Sequence, residues 1–128
     1  MKKLLFFAML APALAAAQSQ ELINPGPWIG ARPSVMVGVA RGENPGTYVV
    51  SGRITDLRNG NVLATPRLET PANNEVRSEV GVTGMNHATT VGFTVKVAAD
   101  GQTASFSSEV KENGVVLSAQ HGTLAVTR

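Results

Sequence analysis

Residues 91–111 read Val-Gly-Phe-Thr-Val-Lys-Val-Ala-Ala-Asp-Gly-Gln-Thr-Ala-Ser-Phe-Ser-Ser-Glu-Val-Lys. Val91, Phe93, Val95 and Val97 alternate with Gly92, Thr94, Lys96 and Ala98. Ala104, Phe106, Ser108 and Val110 then alternate with Ser105, Ser107, Glu109 and Lys111. Successive side chains on a strand point to opposite faces, so a period of two puts one set in a core and the other in water. Asp100-Gly101 separates the two runs. An Asx-Gly pair tolerates the positive φ that tight hairpin turns require. The stretch predicts two antiparallel strands joined by a turn.

The same pattern continues outward. Val76, Ser78, Val80 and Val82 alternate with Glu75, Arg77, Glu79 and Gly81. Arg41–Gly46 reads as a loop, Asp56–Asn61 carries Asn59-Gly60, and Asn113-Gly114 marks another turn. Strands are expected near 34–40, 47–56, 62–69, 75–82, 90–98, 103–111, 115–120 and 123–127. No run of ten or more residues has helical periodicity. The fold class is therefore all-β: one small antiparallel sandwich or partly closed barrel of about 7–8 strands over residues 34–128. The expected core is Val35, Val37, Val39, Val50, Ile54, Val80, Val91, Phe93, Val95, Phe106, Val110, Leu117 and Val126. Ahead of it, residues 18–33 hold Pro25, Pro27 and Pro33. Proline fixes φ and removes a donor, so this arm is expected to be extended rather than helical.

Residues 1–17 have the layout of a signal peptide. Lys2 and Lys3 form a positive start, Leu4–Leu14 is apolar, and Ala15-Ala16-Ala17 supplies small residues before Gln18. The apolar run is shorter than the roughly 20 residues of a spanning helix. Cleavage before Gln18 is expected, giving a periplasmic or secreted bacterial protein with no membrane span in the mature chain. Removing Lys2 and Lys3 from 11 Lys+Arg leaves nine against nine Asp+Glu, so the mature chain is neutral. A neutral chain lacks the basic surface that a nucleic-acid partner requires. With no cysteine, disulfides, thiolate metal sites and thiol nucleophiles are excluded.

Val62-Leu63-Ala-Thr-Pro66-Arg-Leu68, followed by a turn and a strand ending in Val80-Gly81, resembles a stretch of the secretin family. Secretins are the ring-forming outer-membrane channels of bacterial secretion. Residues 92–110 are similar to the later hairpin of that region, with Asp100-Gly101 at its turn. The likeness covers roughly fifty residues, and implies a shared β scaffold in the cell envelope. It does not imply a channel. Only Val82–Thr89 separate the hairpins, where secretins insert membrane-facing strands, and one barrel-spanning strand needs about 9–11 residues. These 128 residues also hold no counterpart of the secretin ring-building domains.

Residues with catalytic or metal-binding chemistry are sparse. His87 and His121 are the only histidines, and both read as solvated turn residues. Asp56 and Asp100 sit in hairpin turns, where Asp bonds the local backbone. No Gly-x-Ser-x-Gly elbow is present. Glu75 and Glu79 with Arg77 between them read as a charged strand exterior, as do Glu109, Lys111 and Glu112. Asp56, Asn59 and Asn61 lack the acidic density of a calcium loop. No catalytic, metal or cofactor site is expected, and no cofactor is implied.

Two features point to binding. Trp28, the single Trp, lies in a proline-rich arm, either as a plug over the core or as an anchor for a partner. Residues 35–40, Val-Met-Val-Gly-Val-Ala, carry no charge. Such a strand is either central and buried, or an open edge to which another chain can add a strand. Trp28, Val35, Met36, Val37 and Val39 are the candidate partner-binding residues. The expected function is an exported, non-enzymatic β-domain that binds protein or packs into a bacterial envelope assembly, with an envelope protein as partner by strand addition. A free-standing ligand- or glycan-binding module is the alternative, followed by an enzyme of unfamiliar type.

Overall fold

A computed structural model describes residues 18–19, 26–84 and 87–128. The leader expected over 1–17 lies outside the described residues, as do residues 20–25 of the arm. The described chain is all-β. Its strands are β1 (Gln18–Ser19), β2 (Pro33–Arg41), β3 (Thr47–Asp56), β4 (Val62–Ala64), β5 (Arg67–Pro71), β6 (Glu75–Gly84), β7 (His87–Val97), β8 (Thr103–Glu112) and β9 (Val115–Ala125). Among the described residues no helix is long and apolar enough to cross a membrane.

Two sheets pack face to face as a small sandwich, with no closed barrel among the described residues. In the larger sheet β6, β7, β8 and β9 form an antiparallel meander, and β1 adds in parallel beside Arg77 and Ser78 of β6. In the smaller sheet β2 pairs antiparallel with β3. The other side of β3 is shared by β4 at its end and β5 at its start. The turn between β8 and β9 is two residues long, and Asn113 (φ 51°) and Gly114 (φ 82°) both adopt positive φ. That is the primed hairpin geometry favoured by Asn-Gly, whose twist matches that of the flanking strands.

The inward sets named by the alternation form the core. Val39, Val50, Leu68, Val76, Phe93, Val95, Val97 and Ala104 make one cluster, with Val35, Val37, Phe106, Leu124 and Val126 packed against it. Trp28, Ile54, Ala64, Val80, Val91 and Val110 make a second cluster. Phe93 fits because its neighbours are small. It lies between Ser78 and Ser108 in its own sheet. It also lies under Gly52 of the facing sheet, where a Cβ would come within 2.7 Å of the ring.

Four expectations are corrected. The arm is not extended throughout: Gly26–Trp28 forms a 3-10 turn. The strand expected at 62–69 is two strands, because Pro66 has no N–H for the ladder; instead its carbonyl accepts from Gly52 N–H at 2.8 Å. The strands expected at 115–120 and 123–127 are one continuous β9 that runs through Gly122. Leu117 is not in the core but 59% exposed. A register shift beside Val110 and Lys111 leaves Leu117 as the extra residue of a bulge.

Candidate interaction surface

β2 is an edge strand. Its side chains follow the strand period: Val35, Val37 and Val39 turn inward, and Met36 is 70% exposed. Their main-chain groups face sideways. Arg41 N–H donates to Thr127 C=O at 2.9 Å, and Thr127 N–H donates to Val39 C=O at 2.9 Å. Odd-numbered residues of β2 therefore aim N–H and C=O at the free edge, while even-numbered ones face β3. The chain end at Thr127 covers the edge at Val39–Arg41. Val35 and Val37 present theirs beyond that cover. The structure thus places four of the five candidate residues along one sheet edge, Met36 with its side chain in solvent.

Trp28 is not part of that surface. It is 1% exposed and lies between Ile54 and Ala64 of one sheet and Val80, Val91 and Val110 of the other. The indole fills this end of the sandwich, so it cannot anchor a partner. The turn that inserts it is closed by Ile29 N–H donating to Gly26 C=O and Ala31 N–H donating to Trp28 C=O.

The arm is then fastened at Asp56. The Asp56 carboxylate accepts from Arg32 N–H at 3.2 Å and Arg58 N–H at 3.0 Å. It also accepts from the Arg58 guanidinium, Nη2 lying 2.8 Å from Oδ2. Leu57 N–H donates to Arg32 C=O. The guanidinium hydrogen bond holds the Asp56 carboxyl well below the usual carboxylate range. Burial opposes this shift, and the two backbone N–H groups add to it. The sequence placed Asp56 in a turn bonding local backbone; the structure adds that it ties the turn to the arm.

Among the described residues the remaining charged side chains form separate surface pairs. On the outer face of the larger sheet, Arg77 lies within 3.5 Å of Glu79 and 3.4 Å of Glu109, and Lys111 lies 3.4 Å from Glu109. Partly exposed pairs of this kind contribute little stability. His121 is exposed on β9, and β7 begins at His87, which the sequence placed in a loop. Among the described residues no three His, Cys, Asp or Glu side chains are grouped so as to hold a metal ion.

Sequence reasoning passed over a second edge. β9 ends the larger sheet, and most of it is exposed on both faces, including Val115 at 62%, Val116 at 49% and Leu117 at 59%. A legible sign was present: no Lys, Arg, Asp or Glu occurs between Glu112 and Arg128. Compared with known protein families, curated proteins and solved structures, the chain matches none.

Proposed function

We propose that this chain is an exported, non-enzymatic β-domain of the bacterial envelope that binds a partner protein by accepting a strand at β2. The observation that carries the reading is the uncharged edge at Val35–Val37, with main-chain donors and acceptors facing outward and Met36 exposed beside them. A partner strand laid there would continue the cover that Thr127 begins at Val39–Arg41. Backbone pairing would supply affinity, and side chains flanking Met36 would supply selectivity. The secretin-like stretch and the signal-peptide layout support an envelope setting, with this domain as a packing element rather than a pore.

The test is affinity capture from envelope extracts with the mature chain from Gln18 as bait. Met36→Lys places a charge on the outer face of the edge strand, opposite Arg53. Val37→Pro removes an edge-facing N–H without breaking the β3 ladder. Each variant should keep the wild-type circular dichroism spectrum and lose the captured protein. Folded variants that capture the same protein as wild type would refute the assignment.

A further inference from the structure

The core is least sealed along the seam between β2 and β9. Five of the seven partly buried side chains packed against the first cluster lie there: Val35 and Val37 on β2, Phe106 on β8, Leu124 on β9 and Val126 just beyond it. The Phe106 ring leans over its β9 partner Gly122, where a Cβ would come within 3.1 Å of it. The ring thus reaches from β8 toward the seam and stays half-buried, while Ala104, Ser108 and Val110 on the same face are buried. Among the described residues the seam is closed at one end only, where Thr127 bonds to Val39 and Arg41. Val126 N–H donates to Gln102 C=O, so even-numbered residues of β9 beyond the bulge bond to β8. Ala119, His121 and Thr123 therefore direct N–H and C=O into the seam from one side, as Val35 and Val37 do from the other. Packed sheets lie about 10 Å apart, twice the roughly 4.8 Å between bonded strands. One strand between the two edges can then bond to both.

We propose that the partner segment accepted at β2 is a short neutral strand that fills this seam, antiparallel to both β2 and β9, with apolar side chains at alternate positions. This rests on the strand-addition reading and names the chemistry of its partner. The bridge between Ala40 and Thr127 is parallel, so β2 and β9 run the same way here and a single strand can oppose both. The segment lies alongside Pro33–Val37, about five residues, and the joint at Val39–Arg41 stops it and sets its register. Its inward positions nearest the joint meet Val37, Phe106 and Leu124, which suit Val, Ile or Leu. Farther out the inner face of β9 presents Gln120 and Ser118, both exposed, so polar residues fit there. No Lys, Arg, Asp or Glu lies on β9 or between Pro33 and Ala40. A charge carried in between the sheets would find no counter-charge on either edge, which is costly.

The probe is a synthetic peptide of alternating Val and Thr, flanked by two lysines at each end for solubility. Its control is an isomer with the valines and threonines in separate blocks. At roughly 1 mM, where weak association is visible, the alternating peptide should shift the amide NMR signals of Val35 and Val37 and also those of His121 and Thr123 in the mature protein. The block isomer should shift neither set. Thr123→Pro removes a seam-facing N–H without breaking the β8 ladder, and should weaken peptide binding about fivefold, the effect of one lost hydrogen bond. Shifts at Val35 and Val37 alone, or a folded Thr123→Pro that binds as wild type, would overturn the seam and leave strand addition at β2 standing. Equal binding of the block isomer would overturn the alternating pattern, and shifts at neither edge would overturn both readings. If the proline variant does not fold, the wild-type shifts at His121 and Thr123 decide.

Discussion

Replacing Trp28 by alanine should cost this protein much of its stability. The indole is 1% exposed and belongs to one buried cluster with Ile54 and Ala64 of one sheet and Val80, Val91 and Val110 of the other. A buried ring of this size removes roughly 200 Å² from water, which at about 25 cal/mol/Å² is about 5 kcal/mol. Measured large-to-alanine changes in cores cost about 3–5 kcal/mol. A domain of this size is stable by about 5–15 kcal/mol, so the variant sits near the edge of folding. Urea unfolding followed by far-UV circular dichroism is the assay, because the substitution removes the only Trp and its fluorescence. With a slope near 2 kcal/mol/M, the midpoint should fall by about 2 M. A loss below about 1 kcal/mol, the range of ordinary surface changes, would show that the indole is not packed between the sheets.

Asp56 should make the protein acid-sensitive. Its folded pKa is depressed, so its contribution is present in full above the ordinary carboxylate range and is lost as pH falls through that range towards the folded value. Asp56→Asn should be less stable than wild type at neutral pH and should lose less stability on acidification; parallel urea-midpoint profiles would contradict the latch. The exported protein should begin at Gln18 by intact mass, and recovery of the full chain in the membrane fraction would show that residues 1–17 anchor it.

Local pattern reported the strands well, because alternation at Val76–Val82, Val91–Val97 and Ala104–Val110 is a property of single strands. Pattern does not report what lies across from a strand. Leu117 alternates in step with its neighbours in sequence, but the bulge beside Lys111 breaks the parity, and the smaller sheet does not reach that far. For Trp28 the sequence offered both a plug over the core and a partner anchor, and the burial of the indole selects the plug. What the proline-rich context could not show, to decide between them, is the turn at Gly26–Trp28 and the fastening of the arm by the distant Asp56 through Arg32. The candidate edge at β2 was legible as an uncharged strand, and its position at the edge was not, since edge status depends on the order of strands in space.

The protection of the four sheet edges is uneven, and the unevenness bears on function. The β6 edge carries Glu75, Arg77 and Glu79, and β1 pairs with it at Arg77 and Ser78. The edge opposite β2 is cut into β4 and β5 at Pro66 and carries Arg67 and Glu69. Both have the features that discourage strand addition. Among the described residues, the β2 edge is covered by the chain end over Val39–Arg41, β9 meets β2 only just past its end at Thr127, and β9 carries no charge along its length. Marginal stability alone does not explain leaving the neutral outward groups of Ala119, His121 and Thr123 unguarded on a protein this small, because one lysine on the exposed face at His121 or Thr123 would guard the edge at almost no cost to folding. The two unguarded stretches flank one seam of the sandwich, because Thr127 just beyond β9 bonds to Val39 and Arg41 of β2, so a strand added to β2 at Val35–Val37 would enter between the two sheets at the place where both leave neutral backbone.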